Sequence, residues 1–356
     1  MKIAVYTIAK NEEQFVERWF NSAKEADYLL IADTGSNDGT IELARSLGIN
    51  IIQISINPWR FDDARNAALA NLPSDIDYCV SLDMDEVLSD GWRKELDQLD
   101  PLIITRPTHK LVASHKEDGS PDWEFEGMRI HARNGYRWRY PIHEVVSPYA
   151  GLDVKKYTNI EIHHYPDNTK SRGQYLSLLK MAVDEDPASD RNAYYYGREL
   201  FFHAKYKEAA EEFKRHLNLP SANWNAERSW SMRYIAKCEP ENAEHWLKMA
   251  IEEYRLGREA IVDLAKYYYD KEDWQNCLDT ALASLEIKEK SFGYFIEADA
   301  WGSKPYDYAA ISAYQLGKFD IALEYGLLAY ELENSERLKM NLEWYREANK
   351  PNNGII

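Results

Sequence analysis

The chain has 356 residues, 45% of them hydrophobic and 29% charged, and a formal net charge of −17. That length and apolar fraction fit two folded domains with sizeable cores. The acidic excess is spread along the chain. Residues 1–165 hold 18 basic and 27 acidic side chains, and residues 166–356 hold 25 and 33. A general nucleic-acid binder needs a basic surplus, so that class is disfavoured without being excluded. No apolar run reaches the roughly 18–20 residues of a membrane-spanning helix. The first residues read as a strand rather than a signal peptide. Cys79, Cys238 and Cys277 lack metal-ligand spacing, and the expectation is a reducing, cytoplasmic setting.

In chain order, Lys2–Ile8 is a β-rich run. Ala9-Lys10-Asn11-Glu12-Glu13 starts a helix with acids in its first turn, and Phe15, Trp19, Phe20 and Ala23 share one face as far as about Ala26. Tyr28–Ala32 is a second strand, ending in the turn-rich Asp33-Thr34-Gly35-Ser36-Asn37-Asp38-Gly39-Thr40. A helix over Ile41–Leu47, a strand over Ile49–Ile56, a helix over Asp62–Leu72 and a buried strand at Tyr78–Val80 follow. This β-α-β-α-β-α-β order predicts a parallel sheet with right-handed crossovers. Thr7, Asp33 and Asp83 then lie at strand carboxyl ends, the edge where open α/β sheets bind ligands.

The most telling segment is Ser81-Leu82-Asp83-Met84-Asp85-Glu86. Two carboxylates at the end of a buried strand are costly unless a cation or hydrogen-bond donors compensate them. Mg²⁺ is commonly held by one or two carboxylates plus a substrate's phosphates. A metal–diphosphate site therefore stands against a solvated acidic turn. Gly127–His143 departs from the acidic trend, carrying Arg129, Arg133, Arg137 and Arg139 with His131 and His143 and no acid. It reads either as a hairpin about Asn134-Gly135 with solvated arginines or as an electropositive, aromatic wall of the site.

From about Lys170 the pattern is helical. Tyr206 and Trp274 open similar segments 68 residues apart, twice 34, with Glu239-Pro240-Glu241-Asn242-Ala243 at the midpoint. That spacing of helix pairs is the tetratricopeptide signature. Phe319 follows Trp274 by 45, so an insertion of about 11 residues is expected, including Lys290-Ser291-Phe292-Gly293 and Asp299-Ala300-Trp301-Gly302. The expected domains are 1–168, α/β, and 169–349, all-α and tetratricopeptide-like, with a frayed tail at 350–356.

Four motifs, Thr7-Ile8-Ala9-Lys10-Asn11-Glu12, Asp33–Thr40, Ala64-Arg65-Asn66-Ala67-Ala68-Leu69 and Leu82-Asp83-Met84-Asp85-Glu86, stand in the order seen in family 2 glycosyltransferases of GT-A fold. The chain resembles the branch that fuses this domain to tetratricopeptide-like helices. The resemblance implies a Rossmann-like, mostly parallel sheet and transfer from a nucleotide-diphosphate sugar, often UDP-linked, with Mn²⁺ or Mg²⁺. By the same resemblance Thr7, Glu12 and Asp33 seat the nucleoside, and Asp85 ligates the metal. Asp83 ligates it too or holds the ribose hydroxyls. His164 is the expected downstream metal ligand, with His143 second. Arg65 faces the sugar or phosphate, unless it pairs with Asp62 or Asp63 on the helix exterior. Inversion at the sugar needs a base, expected to be Glu144, with Glu86 as the alternative and a salt bridge to an arginine as the competing role for Glu144. The segment 100–125, with His109, Lys110, His115 and Trp123, is expected to be a loop that selects the sugar. No Gln-x-x-Arg-Trp helix is present, which favours one sugar delivered to a discrete acceptor. The helical half suggests a protein or peptide acceptor, and a glycan precursor is comparable. A scaffold with an inactive transferase domain is the alternative of a different class.

Overall fold

The computed structural model describes residues 1–115, 119–167, 173–290 and 296–350. The chain divides into two compact units, Met1–Ala182 and Val183–Ile356. The expected boundary at 168–169, residues 291–293 of the expected insertion and the expected tail from residue 351 onward lie outside the described residues.

The first unit opens with β1 (Ile3–Ala9), α1 (Glu13–Ala23), β2 (Tyr28–Asp33), α2 (Thr40–Ser46), β3 (Asn50–Gln53), α3 (Phe61–Ala70) and β4 (Tyr78–Ser81). It continues through β5 (Glu86–Leu88), α4 (Trp92–Asp97), β6 (Arg106–His115), β7 (Pro121–Gly127), β8 (Ile130–Ala132), β9 (Tyr136–Arg139), β10 (Val145–Pro148) and β11 (Lys155–His164). The main sheet runs β3-β2-β1-β4-β8; the first four strands are parallel, and β8 pairs antiparallel with β4. β1 is buried on both faces, as its nearly unbroken apolar run requires. One face packs on Val16, Trp19 and Ala23 of α1, and the other meets Ala68 and Leu69 of α3 with Tyr136 and Trp138. Phe15 and Phe20 only flank that α1 stripe, and the helix ends at Ala23 rather than Ala26.

A second sheet, β5-β11-β6-β7, holds β11 parallel to β6 and antiparallel to β5. Two expectations fail here. Residues 106–115 and 121–127 are paired strands rather than a loop. Asn134-Gly135 joins strands of two different sheets, so it turns no hairpin; the hairpin is β9–β10, closed around residues 140–144.

The second part is helical: α5 (Tyr175–Glu185), α6 (Asp190–Phe202), α7 (Tyr206–Asn218), α8 (Asn225–Cys238), α9 (Ala243–Glu253), α10 (Glu259–Asp270), α11 (Trp274–Leu285), α12 (Ala298–Trp301), α13 (Lys304–Gln315), α14 (Phe319–Leu332) and α15 (Glu336–Ala348). Helices adjacent in sequence pack together, α6 on α7, α8 on α9, α10 on α11 and α13 on α14. Tyr206, Trp274 and Phe319 are the first residues of α7, α11 and α14. The short α12 occupies the interruption in the 34-residue period.

Candidate functional site

The connection from β4 to β5 carries the chain from the first sheet to the second, and its side chains alternate. Leu82 and Met84 are buried. Asp83 and Asp85 stay 26% and 20% exposed at the side chain. Trp19 Nε1 donates to the Leu82 carbonyl at 2.9 Å, and Tyr165 N donates to the Asp85 carbonyl at 2.8 Å. Apolar anchoring of every second residue thus presents both carboxylates at the strand ends.

Asp83 is gripped by two arginines. Arg65 Nη2 lies 2.7 Å from its Oδ1, and Arg129 Nη1 lies 3.1 Å from its Oδ2. Arg65 also donates from Nε to Glu144 Oε1 at 2.5 Å and from Nη1 to Ser81 Oγ at 3.1 Å. Its guanidinium lies over the Trp138 ring, 5.0 Å from the centroid. The expected alternative for Arg65 does not occur: Arg60 pairs with Asp62 and Asp63, and Arg65 points inward. Burial opposes ionisation of Asp83, but Arg129 and Arg65 outweigh it and hold this carboxyl well below the usual range. Burial likewise works against the charges of Arg65 and Arg129, and their carboxylate partners more than offset it.

Glu86 lies behind this layer. Its Oε2 accepts from Asp83 N at 2.9 Å and its Oε1 faces Arg129 Nη2 at 3.1 Å. Burial above all pushes the Glu86 carboxyl up to about 6, against the pull of Arg129. Sequence reading placed Arg129 in a basic segment and Glu86 only as an alternative base. The bond between them depends on the β4–β8 pairing, which spans three residues and has no periodic signal.

Asp85 meets a different partner, His164 Nε2, at 3.3 Å from its Oδ2. The hydrogen bond to Asp85 raises the His164 pKa, against burial. His164 Nδ1 lies 3.3 Å from the Ala113 carbonyl, which can only accept, so Nδ1 carries the hydrogen. Nε2 is then a lone-pair donor whenever the ring is neutral, the arrangement that a carbonyl on the other ring nitrogen imposes on metal-binding histidines. Among the described residues no three His, Cys, Asp or Glu side chains are grouped to hold a metal ion. Asp85 and His164 offer two donors, compatible with Mn²⁺ or Mg²⁺ when substrate phosphates and water supply the rest.

The structure thus brings Arg65, Asp83 and Glu144 into one network and sets Asp85 beside His164. Thr7 lies in β1, Glu12 just before α1 and Asp33 at the end of β2. Thr7 is fully buried and its hydroxyl donates to the Ile8 carbonyl. Glu12 is buried at the start of α1, where its N–H donates to Thr40 Oγ1 at 2.8 Å. Asp33 is buried and accepts from Gly35 N at 3.0 Å and Ser36 N at 3.1 Å, closing the turn after β2. His143 packs edge-on against Tyr175, with centroids 6.0 Å apart.

Residues 4–158 match the family described as Glycosyl transferase family 2. An uncharacterized glycosyltransferase of Rickettsia bellii is 31% identical over 129 residues, 34% of this chain and 41% of the relative. A TPR repeat-containing protein of Synechococcus elongatus is 27% identical over 152 residues, 41% of this chain and 35% of the relative. The chain therefore spans about two fifths of the length of these curated relatives. Among solved structures, YrrB, described as a TPR protein with an unusual peptide-binding site, aligns with 48% of this chain and 83% of its own, at 16% identity and a TM-score of 0.37. The C-terminal part of a TPR repeat-containing protein from Cytophaga hutchinsonii aligns with 50% of this chain and 65% of its own, at 13% identity and a TM-score of 0.40. The residues that match this family form the mixed, mostly parallel, GT-A-like sheet, and a region of paired helices follows.

Proposed function

We propose that this chain is a glycosyltransferase that moves one sugar from a nucleotide-diphosphate sugar, UDP-linked, to a discrete protein, peptide or glycan acceptor. The observation that carries this reading is the pair of strand-end carboxylates, one facing His164 and the other gripped by two arginines, inside a family 2 domain. Asp85 and His164 would hold Mn²⁺ or Mg²⁺. The ion would supply positive charge against the leaving diphosphate.

The chain's own residues supply the remainder. Arg65 and Arg129 are preorganised guanidiniums beside the diphosphate position, placed to stabilise charge as it develops. Asp83 fixes their directions and is open enough to accept a ribose hydroxyl. Asp33, Glu12 and Thr7 shape the nucleoside end. Glu144 is the proposed base for an inverting transfer: Arg65 engages Oε1, and Oε2 is the oxygen to take the acceptor's proton. Glu86 is a poorer candidate despite its raised carboxyl, because it lies behind Asp83 and Arg129 with 3% of its side chain exposed.

The test is nucleoside-diphosphate release from a panel of UDP- and GDP-sugars with Mn²⁺, in the wild type and in Glu144→Gln. Release from one UDP-sugar, slowed about 100-fold or more in the variant, is the expected result. Folded protein that releases nothing from any donor would favour the scaffold reading.

A further inference from the structure

The insertion that breaks the 34-residue period is not absorbed by the transferase reading. Its described residues line an open cavity of about 640 Å³ in the helical unit. The lining is Arg258, Lys288, Glu289, Lys290, Trp301, Tyr306 and Leu332. Lys288, Lys290 and Trp301 flank the interruption, Arg258 immediately precedes α10, Tyr306 lies on α13 and Leu332 ends α14.

Residues 166–356 are acidic overall, and many cations of the helical unit have carboxylate partners. Arg233 pairs with Asp263 and Glu297, Arg228 with Glu253, Lys214 with Glu239 and Arg337 with Asp307. A neighbouring cavity of about 470 Å³ also contains three lysines. Each has an acid: Lys237 with Asp263, Lys266 with Asp270 and Lys304 with Asp299.

Arg258, Lys288 and Lys290 have no carboxylate partner among the described residues. Arg258 is 6% exposed. Its Nε donates to the Ile287 carbonyl at 2.8 Å and its guanidinium stacks 4.3 Å from the Trp301 centroid. Burial dominates and lowers the Arg258 pKa, against the opposing pull of Tyr306 and Glu259. Lys288 Nζ donates to the Leu285 carbonyl at 2.6 Å, and Lys290 Nζ lies 5.9 Å from the Trp301 centroid. A buried cation that gives up hydration without an ion pair is costly unless an anion completes it.

We infer that this cavity binds a small phosphorylated molecule, its phosphate monoester held by Arg258, Lys288 and Lys290 and its organic part against Trp301, Tyr306 and Leu332. Glu289 lines the cavity and Glu259 accepts from Trp301 Nε1 at 2.9 Å, and a phosphate monoester brings the three cations more charge, −1.5 to −2, and more acceptor oxygens than a carboxylate. A buried guanidinium fork, steered by stacking, is suited to phosphate oxygens. The volume falls in the roughly 300–1,000 Å³ range of small-molecule sites.

The test is a titration of the full chain with inorganic phosphate, then UMP and glucose 6-phosphate, in EDTA so that metal-dependent donor binding is silent. The readout is the Trp301 indole N–H resonance, assigned by Trp301→Phe. A saturable shift is expected, weakened at least tenfold in the Lys288→Ala/Lys290→Ala double variant, whose replaced side chains are exposed, and unchanged in Asp85→Ala. Tighter binding of UMP or of glucose 6-phosphate would identify the organic part as a nucleoside or a sugar. Absence of a saturable shift with all three, an equal shift in the double variant, or a shift with hexaglutamate alone would overturn the inference.

Discussion

Arg65 is the side chain on which the site depends most, because Asp83 and Glu144 both take a bond from it and all three are largely enclosed. Arg65→Met strips a partner from each carboxylate, and breaking such a buried pair costs about 3–5 kcal/mol. Urea unfolding at pH 7 measures this, and a loss below about 1 kcal/mol would mean that solvent already screens the network. A second residue-scale consequence concerns His131. Its Nδ1 donates to the Ala132 carbonyl at 2.8 Å, Trp138 Nε1 donates to Tyr6 Oη at 2.7 Å, and the Tyr6 hydroxyl in turn meets His131 Nε2 at 3.2 Å. That chain needs a neutral ring, and burial accordingly pushes the His131 pKa down to about 4 from 6.5. Between those values the unfolded chain binds more protons than the folded one. This contribution is therefore full above about pH 6.5 and is lost as pH falls toward 4. The urea midpoint of His131→Gln should fall less steeply between pH 7.5 and 5 than that of the wild type. The comparison separates His131 from Glu86, whose raised carboxyl acts with the opposite sign. Identical slopes would contradict the assignment. Asp83 and Asp85 were nominated in the sequence by strand-end position and residue type, and Arg65, Glu144 and His164 by the resemblance to family 2 glycosyltransferases. That Asp83 faces arginines while Asp85 faces a histidine was not legible there, because it follows from side-chain direction across three strands.

At the scale of elements, the turns between paired helices repeat one device. Ala204, Glu272 and Gly317 each stand two residues before a helix start, with φ of 56°, 55° and 73°. In each turn the next residue's N–H reaches back five positions, Lys205 to Leu200, Asp273 to Tyr268 and Lys318 to Ala313. This is the Schellman closure, whose left-handed residue is best supplied by glycine. Only the third turn has it. Ala204→Gly and Glu272→Gly should each raise stability by about 0.5–1 kcal/mol, because a left-handed L-residue costs about 1–2 kcal/mol and glycine's unfolded-state entropy returns part of that. Thermal unfolding of the single variants reads it, and a lowered midpoint in both would contradict it. The helix starts at Tyr206, Trp274 and Phe319 were legible because each aromatic follows a polar turn, the first two at twice 34 residues and the third by its likeness to them. The β8–β9 connection was misread because Asn-Gly signals a tight turn without saying whether the strands beside it pair with each other. β8 pairs with β4 instead, and that long-range choice is what delivers Arg129 to Asp83.

At the scale of the whole molecule, the two-part organisation followed from one change in periodicity, from alternating strands and helices to helices alone. The net charge of −17 said only which partners the surface as a whole disfavours. It hid the cationic cavity beside α12, since a local cluster disappears in a sum. The proposed transfer depends above all on Asp85, with His164, holding a divalent ion against a nucleoside diphosphate. The most direct measurement is a calorimetric titration of UDP into the wild type and Asp85→Ala, first with Mn²⁺ and then with EDTA. Wild-type binding that EDTA abolishes is expected, with a variant that keeps an unchanged circular dichroism spectrum and binds at least tenfold more weakly. Equal affinity in the two proteins, or wild-type binding indifferent to EDTA, would contradict it.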